Sequence, residues 1–526
     1  MKKVKTVVIA AVLMCLQTAI AQTITSTKLI DIPGFFYARV AWVDGNSVCI
    51  ISEKDFTGST FTHQFFFYDT TGNVIGEKLQ LKRRYSVQHQ YTLQLNKTFY
   101  FFEAYKKFDG NEFKVKGMIS GSEYNADAEI PIFKTERATE EPKINVSRYK
   151  FEVRKGVYGK KALLTYNNDY KETCAEGFWF CTIDENKNVS AVDTFNLPYN
   201  DRECNISQIV YDEKREIIFL LCDLFDMSGK ERVFKKNFIS IYNIATREYK
   251  EYNDFSASMY KQNISAYLDN DFVAFTGIKI PGKKGKEKAG YSFVSLNLQT
   301  GTIQNACNGI IADKDLENFN KHYDSRFPQL LRPMKTCRDA SGNLHALFCH
   351  FQKLDDVSGF DDATKDIVTG IALGAVGIMV GIAVIQTSGA APSDETSSLI
   401  WLSMPLNNCS PQAASIDVSL LTSNYNKHAF SGVMMNGSMH AIYNRSTEAQ
   451  HKLSQPYFAK FENNIVSGDT ALTRRMKTLK VNEIYPWSEY QSGNTYYYLG
   501  HFVAATDPYG DDPKEKEAFY LLKLEE

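Results

Sequence analysis

One stretch constrains this chain more than any other. Phe65–Leu79 reads FFFYDTTGNVIGEKL. It alternates, and it is rich in aromatic and β-branched residues, which suit a pleated, half-buried surface. Asp69-Thr70-Thr71-Gly72-Asn73 supplies a tight turn between two strands. Gly and Asn tolerate positive φ there, and Asp can accept from its own backbone. Similar units follow at Phe113–Ile130, Phe178–Leu197, Phe238–Tyr252 and Tyr291–Gln304. Weaker copies are Leu399–Val418, Tyr457–Leu472 and the terminal Phe519–Leu524. The copies recur roughly every fifty to sixty residues, a period that belongs to repeat architectures.

A second pair of strands precedes each copy. Tyr37–Val43 and Ser47–Ser52 precede the first, and Tyr91–Leu95 and Lys97–Tyr105 the second. Tyr149–Val153 with Lys161–Tyr166, and Ile206–Tyr211 with Glu216–Cys222, do the same for the third and fourth. Four strands per unit resembles the blade of a β-propeller. The resemblance is to that architecture in secreted bacterial proteins and covers nearly all of the chain after its first residues. It rests on pattern, since no WD-type, kelch-type or calcium-loop signature occurs. The expected fold is therefore all-β, a propeller of four-stranded blades, eight by the spacing with seven as the alternative. The last copy lacks a fourth strand. Thr25–Ile32 is a strand without a blade and is expected to complete the final one, closing the propeller with N- and C-terminal strands.

The N-terminus carries a second instruction. Lys2, Lys3 and Lys5 precede the apolar run Val7–Leu16, and Ala19-Ile20-Ala21 fits the small-residue cleavage rule. Residues 1–21 read as a secretory signal, and 22–526 as one propeller domain. The expected location is the periplasm, the outer membrane or the extracellular space. Met14 before Cys15 argues against lipidation at that cysteine. Without Cys15, nine cysteines remain of the ten in the chain, an odd number for an exported protein. Cys204 with Cys222, and Cys337 with Cys349, are candidate disulfides, because each pair falls on or beside neighbouring strands of one blade. The net charge of −1 implies no general attraction to nucleic acid or anionic lipid.

The turns between third and fourth strands are short, whereas the connections between second and third strands read as long. They are Glu53–Thr62, Asn167–Gly177, Asp223–Lys236, Ile280–Gly290, Asn444–Gln455 and Thr506–Glu517. In a propeller such connections share one face, and long loops on a rigid scaffold commonly carry binding. Candidate binding residues on them are Lys283, Lys284 and Lys286, and Asp511 and Asp512. Trp487 joins these, expected just after the inner strand of the eighth blade, where an indole can stack on a glycan or peptide.

The sixth blade carries an insertion at Asp355–Ser398. Inside it Ile367–Ile385 reads IVTGIALGAVGIMVGIAVI, uncharged and close to the length that spans hydrocarbon as a helix. Gly370, Gly374, Gly377 and Gly381 recur at spacings of four, three and four, on one helical face suited to close packing against a membrane helix or a partner. A Gly-rich helix packed on a partner, a segment that inserts into a bilayer, and a permanent single-pass span are the competing readings.

Catalytic signatures are not found. The chain has no Gly-x-Ser-x-Gly elbow, no His-Glu-x-x-His and no phosphate or dinucleotide loop. His345 and Cys349 alternate to one side of a strand and His350 to the other, which does not suit joint ligation of a metal. No metal, cofactor or catalytic residue is assigned. The expectation is an exported, non-catalytic binding or scaffold protein of a bacterial cell envelope, whose long-loop face engages a protein or a membrane. The alternatives are an enzyme acting on glycans or peptides in a propeller funnel, and a single-pass, membrane-anchored β protein.

Overall fold

The computed structural model describes residues 23–29, 37–57, 60–84, 89–107, 110–120, 123–125, 130–136, 151–167, 175–228, 231–253, 263–280, 288–322, 329–353, 394–405, 408–422, 430–435, 437–446, 454–462, 465–469, 483–492, 494–502 and 518–525. They form eight antiparallel sheets arranged as a β-propeller. In blades one to seven the sheet is a meander in sequence order, with its first strand at the inner edge and its last at the outer. Blade one is Tyr37–Asp44, Ser47–Thr57, Thr60–Asp69 and Leu79–Arg84. Blade two is His89–Leu95, Thr98–Lys107 and Gly110–Ser120, and its outer strand is split into Glu123–Asn125 and Ile130–Glu136. Blade three is Phe151–Lys155, Lys161–Asn167, Ala175–Asp184 and Asp193–Asn200. Blade four is Cys204–Asp212, Ile217–Ser228, Glu231–Asn243 and Tyr249–Tyr252. Blade five is Ile264–Leu268, Phe272–Lys279, Gly290–Asn297 and Thr302–Ile310. Blade six is Gln329–Arg338, Asn343–Lys353, Asp394–Pro405 and Gln412–Thr422. Blade seven is Phe430–Met435, Ser438–Ser446, Ser454–Glu462 and Ile465–Asp469.

Blade eight uses Glu483–Ser492, Thr495–Phe502 and Ala518–Glu525, and takes its outer strand from the other end of the chain. Thr23–Leu29 pairs antiparallel with it from Thr23↔Glu525 to Leu29↔Phe519. The orphan strand of the sequence thus completes the final blade.

The chain divides into two compact units. One holds Met1–Lys54, Gln64–Lys78 and Lys427–Glu526, and the other holds Asp55–His63 and Leu79–Asn426. In the first, Val40, Ile50 and Tyr68 of blade one pack with Tyr497, Leu499 and Leu521 of blade eight. In the second, each of blades two to five is packed on the next. A blade covered on both faces needs apolar residues on both, which is why Ile217–Cys222 (IIFLLC) is nearly continuous rather than alternating. Phe219 and Leu221 face blade five, while Ile218, Leu220 and Cys222 face blade three.

Two of the connections read as long loops are paired strands instead. In blade one the second strand runs to Thr57 and the third begins at Thr60. In blade four the pairing continues to Ser228↔Glu231. These polar stretches carry enough Thr, Phe and Val to stay extended once they pair. The third strand of blade six likewise begins at Asp394, inside the stretch assigned to the insertion. The insertion's apolar segment, with Gly370, Gly374, Gly377 and Gly381, lies outside the described residues. Among the described residues there is one short α-helix, Glu317–His322, and no helix long and apolar enough to cross a membrane. The side chain of Asn318 in this helix bonds to Ser415 O of blade six at 2.8 Å.

Candidate functional site

In every blade the second-to-third connection and the link to the next blade leave from one end of the sheet. The first-to-second and third-to-fourth turns occupy the other. The two ends of blades three to six differ in chemistry.

The short-turn end is cross-braced. Glu213, in the first turn of blade four, accepts the Tyr158 and Lys160 N–H groups of blade three at 3.1 and 2.8 Å. Gly156 makes room for this carboxylate, since a Cβ there would lie 1.6 Å from Glu213 Oε2. Arg215 binds the buried Asp212 carboxylate at 2.6 Å and donates to the Asp269 and Asn270 carbonyls of blade five. Arg338 of blade six binds the Asp269 and Asp271 carboxylates at 3.1 and 3.5 Å. Tyr158 reaches past blade four to donate to Asn270 Oδ1 at 3.0 Å. These charges are spent on joining neighbouring blades.

The opposite end holds the less ordinary groups. Glu176 starts the third strand of blade three, and Asp201 sits in the turn into blade four, 5% exposed. Burial, then the Asp201 contact, push the Glu176 carboxyl up to about 8. Glu176 also accepts the Ile206 N–H at 3.1 Å. Above it, the second and third strands of blade four project as a two-stranded ribbon. Phe225 and Phe234 meet edge-on at 6.1 Å, and the Arg232 guanidinium lies 4.1 Å from the centre of the Phe225 ring. On the face of blade four toward blade five, Asp223 is fully buried and takes hydrogen bonds from Ser207 and Asn237.

In blade six a buried chain links three side chains. Trp401 Nε1 donates to His345 Nδ1 at 3.1 Å, and His345 Nε2 stands 3.0 Å from Asp339 Oδ2. The indole can only donate, so His345 carries its proton on Nε2. His350 is buried against the Phe319 ring at 4.6 Å. His345 and His350 are therefore core histidines, and no group of His, Cys, Asp and Glu able to hold a metal occurs among the described residues.

The predicted residues fare unevenly. Lys283, Lys284, Lys286, Asp511 and Asp512 lie outside the described residues. Trp487 lies within the inner strand of blade eight rather than after it, where the register shifts between Tyr485 and Tyr490. Trp401 is core and Trp179 packs on Tyr166 at 5.7 Å. The expected disulfides are corrected. The bridge that forms is Cys307–Cys409, from the outer strand of blade five to the last turn of blade six, with a Cα separation of 6.0 Å. Cys204, Cys222, Cys337 and Cys349 remain thiols. Cys337 pairs with His345 and Cys349 with Arg332, so the two lie four positions apart along the ladder, roughly 13 Å, beyond disulfide reach. Cys204 pairs with Leu224 and is only diagonal to Cys222. Burial pushes the Cys222 and Cys349 thiols well up and Cys181 up to about 12, which leaves them protonated and poor nucleophiles. Sequence reasoning missed Glu176 and Asp201, which the register Ala175↔Asn200 sets at the same end of blade three. The turn DASGN at Asp339–Asn343 repeats DTTGN and carried the register that separates Cys337 from Cys349.

Fold and strand ends together define an eight-bladed β-propeller with one braced end and one end rich in connections. No family model matches the chain, and no curated protein matches its sequence. Solved structures similar to it include the β-propeller domain of the Trilobed protease from Pyrococcus furiosus, described as having an open velcro topology. It shares 9% identity over 82% of this chain and 98% of that one, with a TM-score of 0.34. The polysaccharide lyase Uly1 shares 8% identity over 94% and 90% of the two chains, with a TM-score of 0.35. The WD40 domain of SCAP from fission yeast shares 8% identity over 96% and 98%, with a TM-score of 0.33.

Proposed function

We propose that this is an exported, non-catalytic binding or scaffold protein of a bacterial cell envelope, and that its connection-rich end engages a protein partner or a membrane through the blade-six insertion. One observation carries the reading. Lys353 and Asp394 are register partners on neighbouring strands, with Gln352↔Glu395 and Phe351↔Thr396 beneath them. Residues 354–393 thus leave and return at the tip of one hairpin, and that hairpin is flanked on both sides by paired strands. Such a tip offers a rigid base for a long apolar segment.

The same register weighs against the single-pass alternative. Neighbouring strands lie about 5 Å apart, whereas a single crossing separates its ends by roughly 30 Å of hydrocarbon. A segment that enters and leaves on one side fits both the register and the apolar Ile367–Ile385.

The test replaces residues 354–393 by an Asn-Gly turn. Cells producing either form are fractionated, and the membranes are extracted with carbonate. The intact chain is expected in the membrane or partner-bound fraction and the variant in the soluble one, with the same cooperative melt. Association that survives the deletion overturns the reading.

A further inference from the structure

The inner strand of blade eight does not run as a regular edge. Tyr485 pairs with Leu499, and the next pair is Tyr490 with Tyr497. Between these pairs lie Pro486, Trp487, Ser488 and Glu489 on the inner strand, and only Tyr498 on its neighbour, so three residues are in excess. The strand is the last of its sheet and is paired on one side only. A bulge on such a strand interrupts one ladder and leaves the rest of the blade regular, and bulges recur beside binding sites.

The bulge has a fixed base. Ser488 is fully buried, and its Oγ donates to Tyr485 O at 2.5 Å while accepting the Leu499 N–H at 2.7 Å. The hydroxyl thus stands in for the carbonyl that a regular ladder offers to that N–H. At one end of the bulge the Tyr485 phenol lies 3.2 Å from His501 Nδ1. At the other, the buried Tyr498 phenol stands 3.4 Å from Glu489 Oε2 and 3.5 Å from Ser431 Oγ of blade seven. Trp487 occupies the middle of a segment held at both ends.

The chemistry narrows what such a segment can bind. A peptide that adds to a sheet edge needs backbone donors and acceptors at strand spacing. The bulge breaks that spacing, and Pro486 has no N–H to offer. A phosphate or an acidic sugar would meet the like charge of Glu489, which is only half-buried. A neutral sugar avoids both problems. Its hydroxyls donate to a carboxylate, and the apolar face of its ring packs on an indole. Trp487 and Glu489 provide these two groups two positions apart on one strand.

We propose that the bulge Pro486–Glu489 is a subsite for a neutral pyranose glycan, with Trp487 as its stacking residue and Glu489 as its hydrogen-bond acceptor. The subsite belongs to blade eight and does not depend on the insertion of blade six.

Calorimetry on the full chain tests it, with cellotriose, mannotriose and xylotriose as neutral probes and trigalacturonate as the acidic one. At least one neutral probe is expected to bind with a Kd of about 1 mM or tighter, and more tightly than trigalacturonate. Trp487→Ala should weaken that binding about tenfold, through loss of one stacked face. Glu489→Gln should weaken it about as much, through loss of a charged acceptor, again about tenfold. No binding of any neutral probe, preference for trigalacturonate, or an unchanged affinity in either variant overturns the subsite. Should the variants fail to fold, oxidation of the wild type by N-bromosuccinimide, read by peptide mass spectrometry, decides. Trp487 oxidised in the free protein and protected by the sugar supports the subsite. Trp487 untouched in the free protein, or oxidised equally with the sugar present, overturns it.

Discussion

Gly72 stands against the backbone of Lys28. A Cβ on Gly72 would lie 2.2 Å from the Lys28 carbonyl oxygen, and Gly72 has a φ of +90°. Thr27 Oγ1 donates to Thr70 O at 2.9 Å in the same contact. The turn of blade one thus clasps the closing strand of blade eight. Gly72→Ala meets both a clash and a left-handed backbone, and is expected to cost more than about 2 kcal/mol. The amides of residues 23–29 should lose hydrogen-exchange protection before any others in blades one and eight. An unchanged melting temperature would show that the clasp is not needed.

Lys187 occupies the corresponding place in DENKN, with a φ of +75°. Asn188 bonds Asp184 there as Asn73 bonds Asp69, each at 2.9 Å. A side chain at this place adds strain that glycine avoids. Lys187→Gly is therefore expected to stabilise the protein by about 0.5–1 kcal/mol. The urea midpoint should rise with an unchanged slope, and a lower midpoint would contradict the assignment.

The repeat was legible because its cause is local. Alternation, aromatic strands and Asp-x-x-Gly-Asn turns specify blades without reference to anything distant. The closing strand was legible too, since Thr25–Ile32 had no partner nearby and the last blade lacked a strand, and the strand that forms is Thr23–Leu29. What could not be read needs neighbours in space. Cys307 and Cys409 are separated by 102 residues and meet only because blades five and six are adjacent. Glu176 and Asp201 are set at one end of blade three by the register Ala175↔Asn200, and nothing in their local sequence sets them apart from surface acids. The ribbons of blades one and four were misread because polar composition suggests a loop, whereas pairing with the facing strand decides.

Asp69 gives the protein a component of acid sensitivity. Hydrogen bonds from Thr71 and then Asn73 lower its carboxyl to about 2. A depressed carboxyl stabilises the fold above its ordinary value and loses that contribution as pH falls through the folded value. The loss is expected between about pH 4 and 2. Asp69→Asn should therefore show a smaller drop in melting temperature over that window than wild type. Equal drops would place the acid sensitivity elsewhere.

Trp401 fixes the tautomer of His345. Removing the indole donor leaves the buried Nδ1 of His345 without its 3.1 Å partner. Trp401→Phe is expected to cost about 3–5 kcal/mol, from lost packing together with the unsatisfied nitrogen. Nitrogen-15 shifts of the imidazole should report a single Nε2–H form in wild type and a mixture in the variant. A wild-type spectrum of the Nδ1–H form would reverse the direction of the chain from Trp401 to Asp339.

The Cys307–Cys409 bridge is the remaining lever on stability. It closes a loop of about a hundred residues, between the outer strand of blade five and blade six. Cross-links of that span restrict the unfolded chain, and typical contributions are about 2–4 kcal/mol. Dithiothreitol should lower the wild-type melting temperature and leave the Cys307→Ser, Cys409→Ser double variant unchanged. The buried thiols at Cys49, Cys181, Cys204, Cys222 and Cys349 are shielded from solvent. Alkylation of the native protein should therefore be slow at all five and fast only after unfolding. Rapid native labelling at Cys204 or Cys222 would mean that the junction of blades three and four opens readily, and would set that junction apart from the rest of blade four.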